Sequence, residues 1–205
     1  MKQSERVLET KQKLKNSFIT LIEENGLKNV SISQLVKHAN LSRGTFYINY
    51  KDLNALLVEI ETELYTNILN DFQSKISDTS IYNEIFFKSD SLDNVYLSFS
   101  NVLNYIYQNI RTIRVLILSS ENPELLAKIK KLVENVFITT ITANHGQFNN
   151  ALPTDYTIQL LVDCLFSIVI HWVKKENPES PEEVAIIIAK SRLLAPKDLI
   201  VNHNF

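Results

Sequence analysis

Residues 30–57 decide the fold and have the sequence VSISQLVKHANLSRGTFYINYKDLNALL. The tetrapeptide SISQ at 31–34 has the spacing of a capping box, which predicts the start of a short helix. The apolar face of that helix consists of Leu35, Val36 and Ala39. The next residues, ANLS at 39–42, predict a break, and Ser42 predicts the cap of another short helix that ends near Asn49.

Longer helical patterns flank this stretch on both sides. Leu14, Phe18, Leu21 and Ile22 recur at helical spacing, so we predict an amphipathic first helix over about 8–25, stopped by Gly26. From Asp52 onward, leucines and isoleucines at three- and four-residue steps predict a longer fourth helix. Three helices with a tight turn between the second and third are the helix-turn-helix arrangement.

A helix-turn-helix places its third helix in the major groove of DNA, where phosphate contacts set position and base contacts set preference. On the third helix, Phe46 and Tyr50 are predicted to face the core with Leu35 and Ala39, whereas Tyr47 is predicted to face outward as a phosphate donor. The short polar side chains, the cations and the small Gly44 suit such contacts. The candidate DNA-binding residues are Ser33, Ser42, Arg43, Gly44, Thr45, Tyr47, Asn49 and Lys51.

Charge is distributed unevenly along a chain whose formal net charge is −2. Up to residue 57 there are nine Lys and Arg against five Asp and Glu, whereas the remainder is acidic. A basic first quarter favours contact with a polyanion, and chance clustering of surface charge is the alternative. Lys11, Lys13 and Lys15 are interpreted as a solvated face of the first helix. The polar N-terminal residues do not resemble a signal peptide, so a cytoplasmic location is expected.

The rest of the chain is predicted to be helical, with the fold class all-α and two domains at 1–52 and 53–205. Residues 76–93 are expected to be a connection that includes a short helix. Residues 156–173 are apolar on nearly every side, which favours full burial over a membrane span because Asp163 and His171 interrupt the run. SPEE at 180–183 predicts a second capping box and a last helix. Two apolar C-terminal helices favour a dimer interface, with a buried hairpin in a monomer as the alternative.

The stretch 30–57 resembles the helix-turn-helix signature of the TetR/AcrR family of bacterial transcriptional repressors. The resemblance covers about residues 10–57 without a gap. Residues 171–188, HWVKKENPESPEEVAIII, are similar to the last two helices of family members. The matching positions of the signature are Ser31, Leu35, Val36, Ala39, Leu41, Ser42, Gly44, Thr45, Tyr47, Tyr50 and Leu56.

This resemblance implies a homodimer formed through the last two helices, with the third helix of each subunit in adjacent major grooves of a palindromic double-stranded operator. It implies that a small molecule bound in the C-terminal domain releases the DNA. It also assigns Tyr47 to a phosphate contact and Gly44 to close approach. One alternative is a DNA-binding module of the same fold that a protein or peptide partner controls. Another is a helical interaction protein that does not bind DNA.

Two positions depart from the family pattern. Asn40 stands where the family has its turn glycine, and asparagine tolerates the left-handed backbone conformation better than most residues. Leu53 stands where the family has a lysine at the start of the fourth helix, so that phosphate contact is missing. Lys51 is a candidate substitute two residues earlier.

An enzyme is not expected, because the four histidines lie outside metal-ligand spacing and the chain has no phosphate-binding glycine loop. No cofactor or metal is predicted, and Cys164, within an apolar run, is interpreted as an inert buried thiol. Aromatic side chains beyond the predicted DNA-binding domain at 1–52, called the head below, are candidates to line an effector pocket. Core packing is the other interpretation for each of them. They are Tyr96, Phe99, Tyr105, Phe137, Phe166 and Trp172.

Overall fold

The computed structural model describes residues 3–76, 92–118 and 123–193, with side chains described at 4–72, 100–118 and 124–191. All regular structure in these ranges is helical, as the sequence predicts. The helices are α1 (Gln3–Asn25), α2 (Ile32–His38), α3 (Arg43–Asn49), α4 (Leu53–Ile76), α5 (Leu92–Gln108), α6 (Ile110–Leu118), α7 (Pro123–Ala143), α8 (Thr154–Lys174) and α9 (Pro181–Leu193). Most of the predicted connection at 76–93 lies outside the described residues.

The chain divides into two compact units. The first contains residues 1–66 and 111–126, and the second contains residues 67–110 and 127–205. The contacts group the first part of α4 with the head, whereas the domain boundary between residues 52 and 53 stays a prediction based on the sequence motif.

In the first unit, α2 packs against both α1 and α3. The centre of this core has no exposed surface, and it consists of Leu14, Phe18, Leu35, Phe46 and Leu56. Complete burial of each of these large apolar side chains contributes about 1.5–3 kcal/mol to the stability of the folded state, relative to leaving it exposed. The head therefore has a core of its own that fixes the direction of α3.

Side-chain and backbone caps set the ends of the two short helices. Ser31 and Gln34 form the predicted capping box at the start of α2. At its other end, Leu41 N–H donates to the Val36 carbonyl over 2.8 Å, and Asn40 N–H donates to the Lys37 carbonyl over 3.2 Å. This pair of bonds is a Schellman motif, which requires a left-handed residue after the helix. Asn40 fills that position with φ 54°, so the turn survives the loss of the family glycine.

In the second unit, α9 packs against α5 and α8. The predicted capping box at its start is present, since Ser180 N–H donates to the Glu183 carboxylate over 2.8 Å and Glu183 N–H donates back to the Ser180 hydroxyl. Val184 and Ile188 on α9 are each 1% exposed. The capping box thus stabilises the first turn of α9 through residues of that turn. The apolar face of α9 is buried by other helices of the unit.

The prediction that 156–173 is fully buried is wrong for the single chain. Only four side chains of α8 are buried, and they are Val162, Leu165, Trp172 and Val173. Tyr156 and Leu160 are 63% and 59% exposed. Cys164 is exposed as well, which corrects its interpretation as a buried thiol. The apolar pattern of α8 therefore exceeds what one chain covers, because its neighbours in the chain hide only part of the helix surface.

By length and composition, α8 could cross a membrane, and 22% of its apolar window is buried. Such a helix on its own is weak evidence for a span, because core helices of soluble proteins have the same length and apolar content. The same apolar excess fits a surface that another protein covers.

Candidate nucleic-acid interface

Helix α3 is divided into an inner and an outer face. Phe46 and Tyr50, four residues apart, are 0% and 4% exposed and confirm the predicted inner face. Their rings lie 5.9 Å apart. Tyr47 is 57% exposed and touches Phe46 edge-on, with ring centroids 5.5 Å apart. Tyr47 is therefore open to solvent, while one part of its ring packs against the buried Phe46 ring.

The remaining candidate residues differ in their exposure. Ser33, Ser42, Arg43, Gly44 and Lys51 are exposed. Thr45 and Asn49 are half-buried, and the Asn49 amide donates to the Thr45 carbonyl over 2.8 Å. All eight candidates therefore occupy α2, α3 or the residues that border α3.

Hydrogen bonds organise this surface before any partner arrives. The Ser42 hydroxyl accepts from Thr45 N–H over 3.0 Å and so caps α3, as predicted. The Arg43 guanidinium donates to the Ser33 hydroxyl, which ties the start of α3 to α2. An arginine held in this way loses less side-chain entropy when it binds an anion.

Gly44 is not required by packing within the chain. A Cβ atom added there would meet only the Ser42 hydroxyl at 3.6 Å, an ordinary contact distance. Glycine inside a helix costs roughly 0.5–1 kcal/mol relative to alanine. Neither internal space nor helix stability therefore accounts for the glycine in this outer face.

A charged cluster behind α3 joins α1 to α4. The Glu59 carboxylate accepts from Lys11 and Lys15, each over 2.8 Å, and from the Tyr50 hydroxyl over 3.0 Å. Lys15 also pairs with Glu63. The Lys11 ammonium lies 5.2 Å from the centre of the Tyr50 ring, within cation–π range. The interpretation of the three lysines as a solvated face is therefore wrong for Lys11 and Lys15, because both form ion pairs with carboxylates on α4.

The pKa values in this cluster follow from its geometry. Burial alone would raise the pKa of the Glu59 carboxyl, but hydrogen bonds from Lys11, Lys15 and Tyr50 outweigh it and lower that pKa to about 2. Burial raises the pKa of the Tyr50 phenol, and its bond to the Glu59 carboxylate raises it further. Tyr50 therefore stays a neutral donor, and Glu59 stays a carboxylate well below neutral pH.

The start of α4 carries the departure from the family pattern. Leu53 is half-buried as the first residue of the helix, and Lys51 is exposed two residues earlier. The Asp52 carboxylate accepts from Ala55 N–H over 2.7 Å and caps the helix. Lys51 is thus the exposed cation at this junction.

Sequence reasoning missed Ile48. It is 85% exposed, the highest value among the exposed large apolar side chains of the described residues. An isoleucine in a helix is usually taken as a core residue. The available signal was its position halfway between the inward-facing Phe46 and Tyr50, which at about 100° per residue puts it on the opposite side of α3.

Comparison with known protein families gives a match for the N-terminal part of the chain and another for the C-terminal part. A model of bacterial regulatory proteins of the TetR family matches residues 19–60, and a model of a transcriptional regulator C-terminal region of that family matches residues 93–191. The chain belongs to the TetR family. Regulators of this family are DNA-binding transcription factors and not enzymes.

Two known proteins illustrate the range of similarity. The HTH-type transcriptional regulator YvdT of Bacillus subtilis is 35% identical over 65 residues, which are 32% of this chain and 34% of that protein. The match thus spans about a third of the length of YvdT. A TetR transcriptional regulator structure from Streptococcus agalactiae has a TM-score of 0.61 at 20% identity and covers 92% of this chain and 96% of its own. The second likeness concerns the fold.

The effector candidates lie in different surroundings within the second unit. Phe166 lines an apolar cavity of about 60 Å³. Trp172 is 2% exposed, stacks on Tyr107 with centroids 6.1 Å apart, and donates its indole N–H to the Glu179 carbonyl over 2.8 Å. Phe137 is buried, and the Tyr105 hydroxyl accepts from Asn67 over 3.0 Å. The side chains of Tyr96 and Phe99 lie outside the described ones.

Among the described residues, no group of three or more His, Cys, Asp or Glu side chains is arranged to hold a metal ion.

Proposed function

We propose that this regulator is a cytoplasmic, homodimeric repressor that binds a palindromic operator through the outer face of α3. The observation that carries the proposal is the division of α3 between a buried face and an exposed face of polar side chains around Gly44. The Ser42 cap and the Arg43–Ser33 bond order this surface, and packing within the chain does not require a glycine at position 44. Such a surface suits the major groove.

Each candidate residue has a proposed role on this face. Tyr47, Ser42 and Lys51 donate to phosphates and set the position of the helix on the duplex. Arg43, steadied by Ser33, contacts a base edge or a phosphate. Thr45 and Asn49 flank the base edges. The missing side chain of Gly44 lets the sugar-phosphate chain approach the helix, which accounts for the cost of glycine there.

The dimer is proposed to form through α8 and α9. Tyr156, Leu160 and Cys164 are exposed at four-residue spacing, so they share one face of α8. Ile187 on α9 is 42% exposed. An exposed apolar stripe of this kind is typical of a surface covered by a second copy, and two-fold dimers are the most common soluble oligomers.

Leu160→Glu tests this interface. We expect the variant to sediment as a monomer and to lose operator affinity, because a charge would be buried between the subunits. Leu152→Glu, in the exposed loop before α8, is the matched control and should remain dimeric. Cys164 is the single cysteine, so a short bismaleimide should cross-link wild-type subunits through it. A Leu160→Glu protein that stays dimeric contradicts the proposal.

The apolar cavity in the second unit is the proposed effector site. Its lining is entirely hydrocarbon or aromatic and includes Ile68, Phe72, Val102, Leu103, Phe166 and Val169. Such a cavity selects an apolar molecule, because a polar group there would lose its hydrogen bonds to water. Its lining comes from five helices of one unit, α4, α5, α7, α8 and α9, which supports a ligand that acts by shifting these helices.

The size of the same cavity supports a second candidate. At about 60 Å³ it is smaller than the roughly 300–1,000 Å³ typical of small-molecule sites. Control of the same DNA-binding head by a protein or peptide partner is therefore the alternative. Release of operator DNA by small apolar compounds, abolished in Val169→Phe, supports the effector. A DNA complex insensitive to such compounds in both proteins supports the alternative.

Selection of bound fragments from random DNA is the experiment that tests operator binding. We expect a palindromic site and an affinity that falls steeply with salt, because phosphate contacts release counterions. Tyr47→Phe should weaken binding to all sequences alike, whereas Arg43→Ala should also relax base preference. Tyr65→Phe, a half-buried tyrosine of α4, is the matched control. Absence of sequence preference at low salt contradicts operator binding.

A further inference from the structure

The outermost side chain of α3 is a hydrocarbon, although its surroundings are polar. Ile48 is 85% exposed, compared with 57% for its neighbour Tyr47. β-branched residues have lower helix propensity than straight-chain ones, and an exposed isoleucine contributes nothing to the core. Neither helix formation nor packing within the chain accounts for an isoleucine there.

Helix geometry aims Ile48 away from the core. The buried pair Phe46 and Tyr50 defines the inner face, and residue 48 lies about 180° from its centre at about 100° per residue. Gly44 lies four residues earlier and therefore shares the outer face with Ile48. The backbone at Gly44 permits close approach, and Ile48 extends from the same face into the space beyond.

We propose that Ile48 is a specificity-determining residue that contacts the C5-methyl group of a thymine in the major groove. This inference rests on the proposed operator binding. A recognition helix lies in the major groove, so a side chain that points away from its own domain is directed toward the base edges. The thymine methyl is the apolar group that the major groove displays, and it suits a side chain that has no hydrogen-bonding atoms. Tyr47 and Arg43 would meanwhile hold the helix in position.

Replacement of each operator thymine by deoxyuridine isolates this contact, since the change removes the methyl group alone. For wild type we expect one thymine per half-site at which the substitution weakens binding about fourfold, the value for one buried methyl-sized group. For Ile48→Ala the same substitution should have no effect. Val58→Ala, which shortens a 48%-exposed valine on α4, should keep the wild-type sensitivity.

The outcomes separate this inference from the proposed function. Sequence-specific binding that is indifferent to every deoxyuridine overturns the role of Ile48 and leaves operator binding intact. Persistence of the deoxyuridine effect in Ile48→Ala also overturns it, because another group then contacts the methyl. A wild-type protein with no sequence preference overturns the proposed function and this inference together.

Discussion

Replacing Glu59 by glutamine should loosen the DNA-binding head without touching its outer face. The carboxylate accepts hydrogen bonds from Lys11, Lys15 and Tyr50. Lowering its pKa from 4.5 to about 2 corresponds to about 3.4 kcal/mol at 1.36 kcal/mol per unit. Solvent reaches 28% of the Glu59 side chain, so screening reduces the expected loss to about 1–2 kcal/mol.

Hydrogen–deuterium exchange of peptides from α1 and α4 measures this loss where it occurs. Trp172 lies in the second unit, so its fluorescence does not report on the head. A loss of about 1–2 kcal/mol lowers protection in these peptides roughly 5- to 30-fold. Glu9→Gln disrupts an exposed pair with Lys13 on α1 and serves as the control, for which we expect unchanged protection.

The pH dependence has a definite sign. The folded-state pKa of Glu59 is depressed, so its contribution is fully present above about pH 4.5 and is lost as pH falls toward 2. The difference between wild type and Glu59→Gln should therefore shrink over that window. Equal protection of the two proteins at pH 7, or a difference that is unchanged at pH 3.5, would refute the reasoning.

Three further substitutions test the local structure. Asn40→Ala should destabilise the head by about 1 kcal/mol in urea unfolding, because alanine resists φ 54°, whereas Asn40→Gly should not. Ser42→Ala should cost about 1 kcal/mol through loss of the α3 cap and weaken operator binding, while Ser42→Asp, a competent cap, should recover the stability but not the binding. Trp172→Phe removes the 2.8 Å bond to Glu179 and should destabilise the second unit by about 1–3 kcal/mol in thermal melts, with Tyr107→Phe as the control that keeps the ring stack.

Much of the head could be predicted because its signals are local. The capping box at Ser31, the cap at Ser42 and the inward pair Phe46 and Tyr50 depend on spacings of three or four residues, and the structure confirms each of them. Helix caps bond to backbone groups of their own first turn, so the sequence contains both partners. The turn at Asn40 was predictable for the same reason.

The sequence by itself determined an all-helical chain, its capped short helices and the motif that identifies its family. Only the tertiary structure decided that Lys11 and Lys15 pair with Glu59. Lys11 lies 48 positions before Glu59 in the sequence and Lys15 lies 44 positions before it, so helix packing alone brings them together. It also decided that α8 leaves Tyr156 and Leu160 exposed and that Trp172 is fixed by Glu179. Hydrophobic periodicity shows that a helix has an apolar face, but the neighbours that cover this face depend on the packing of distant segments.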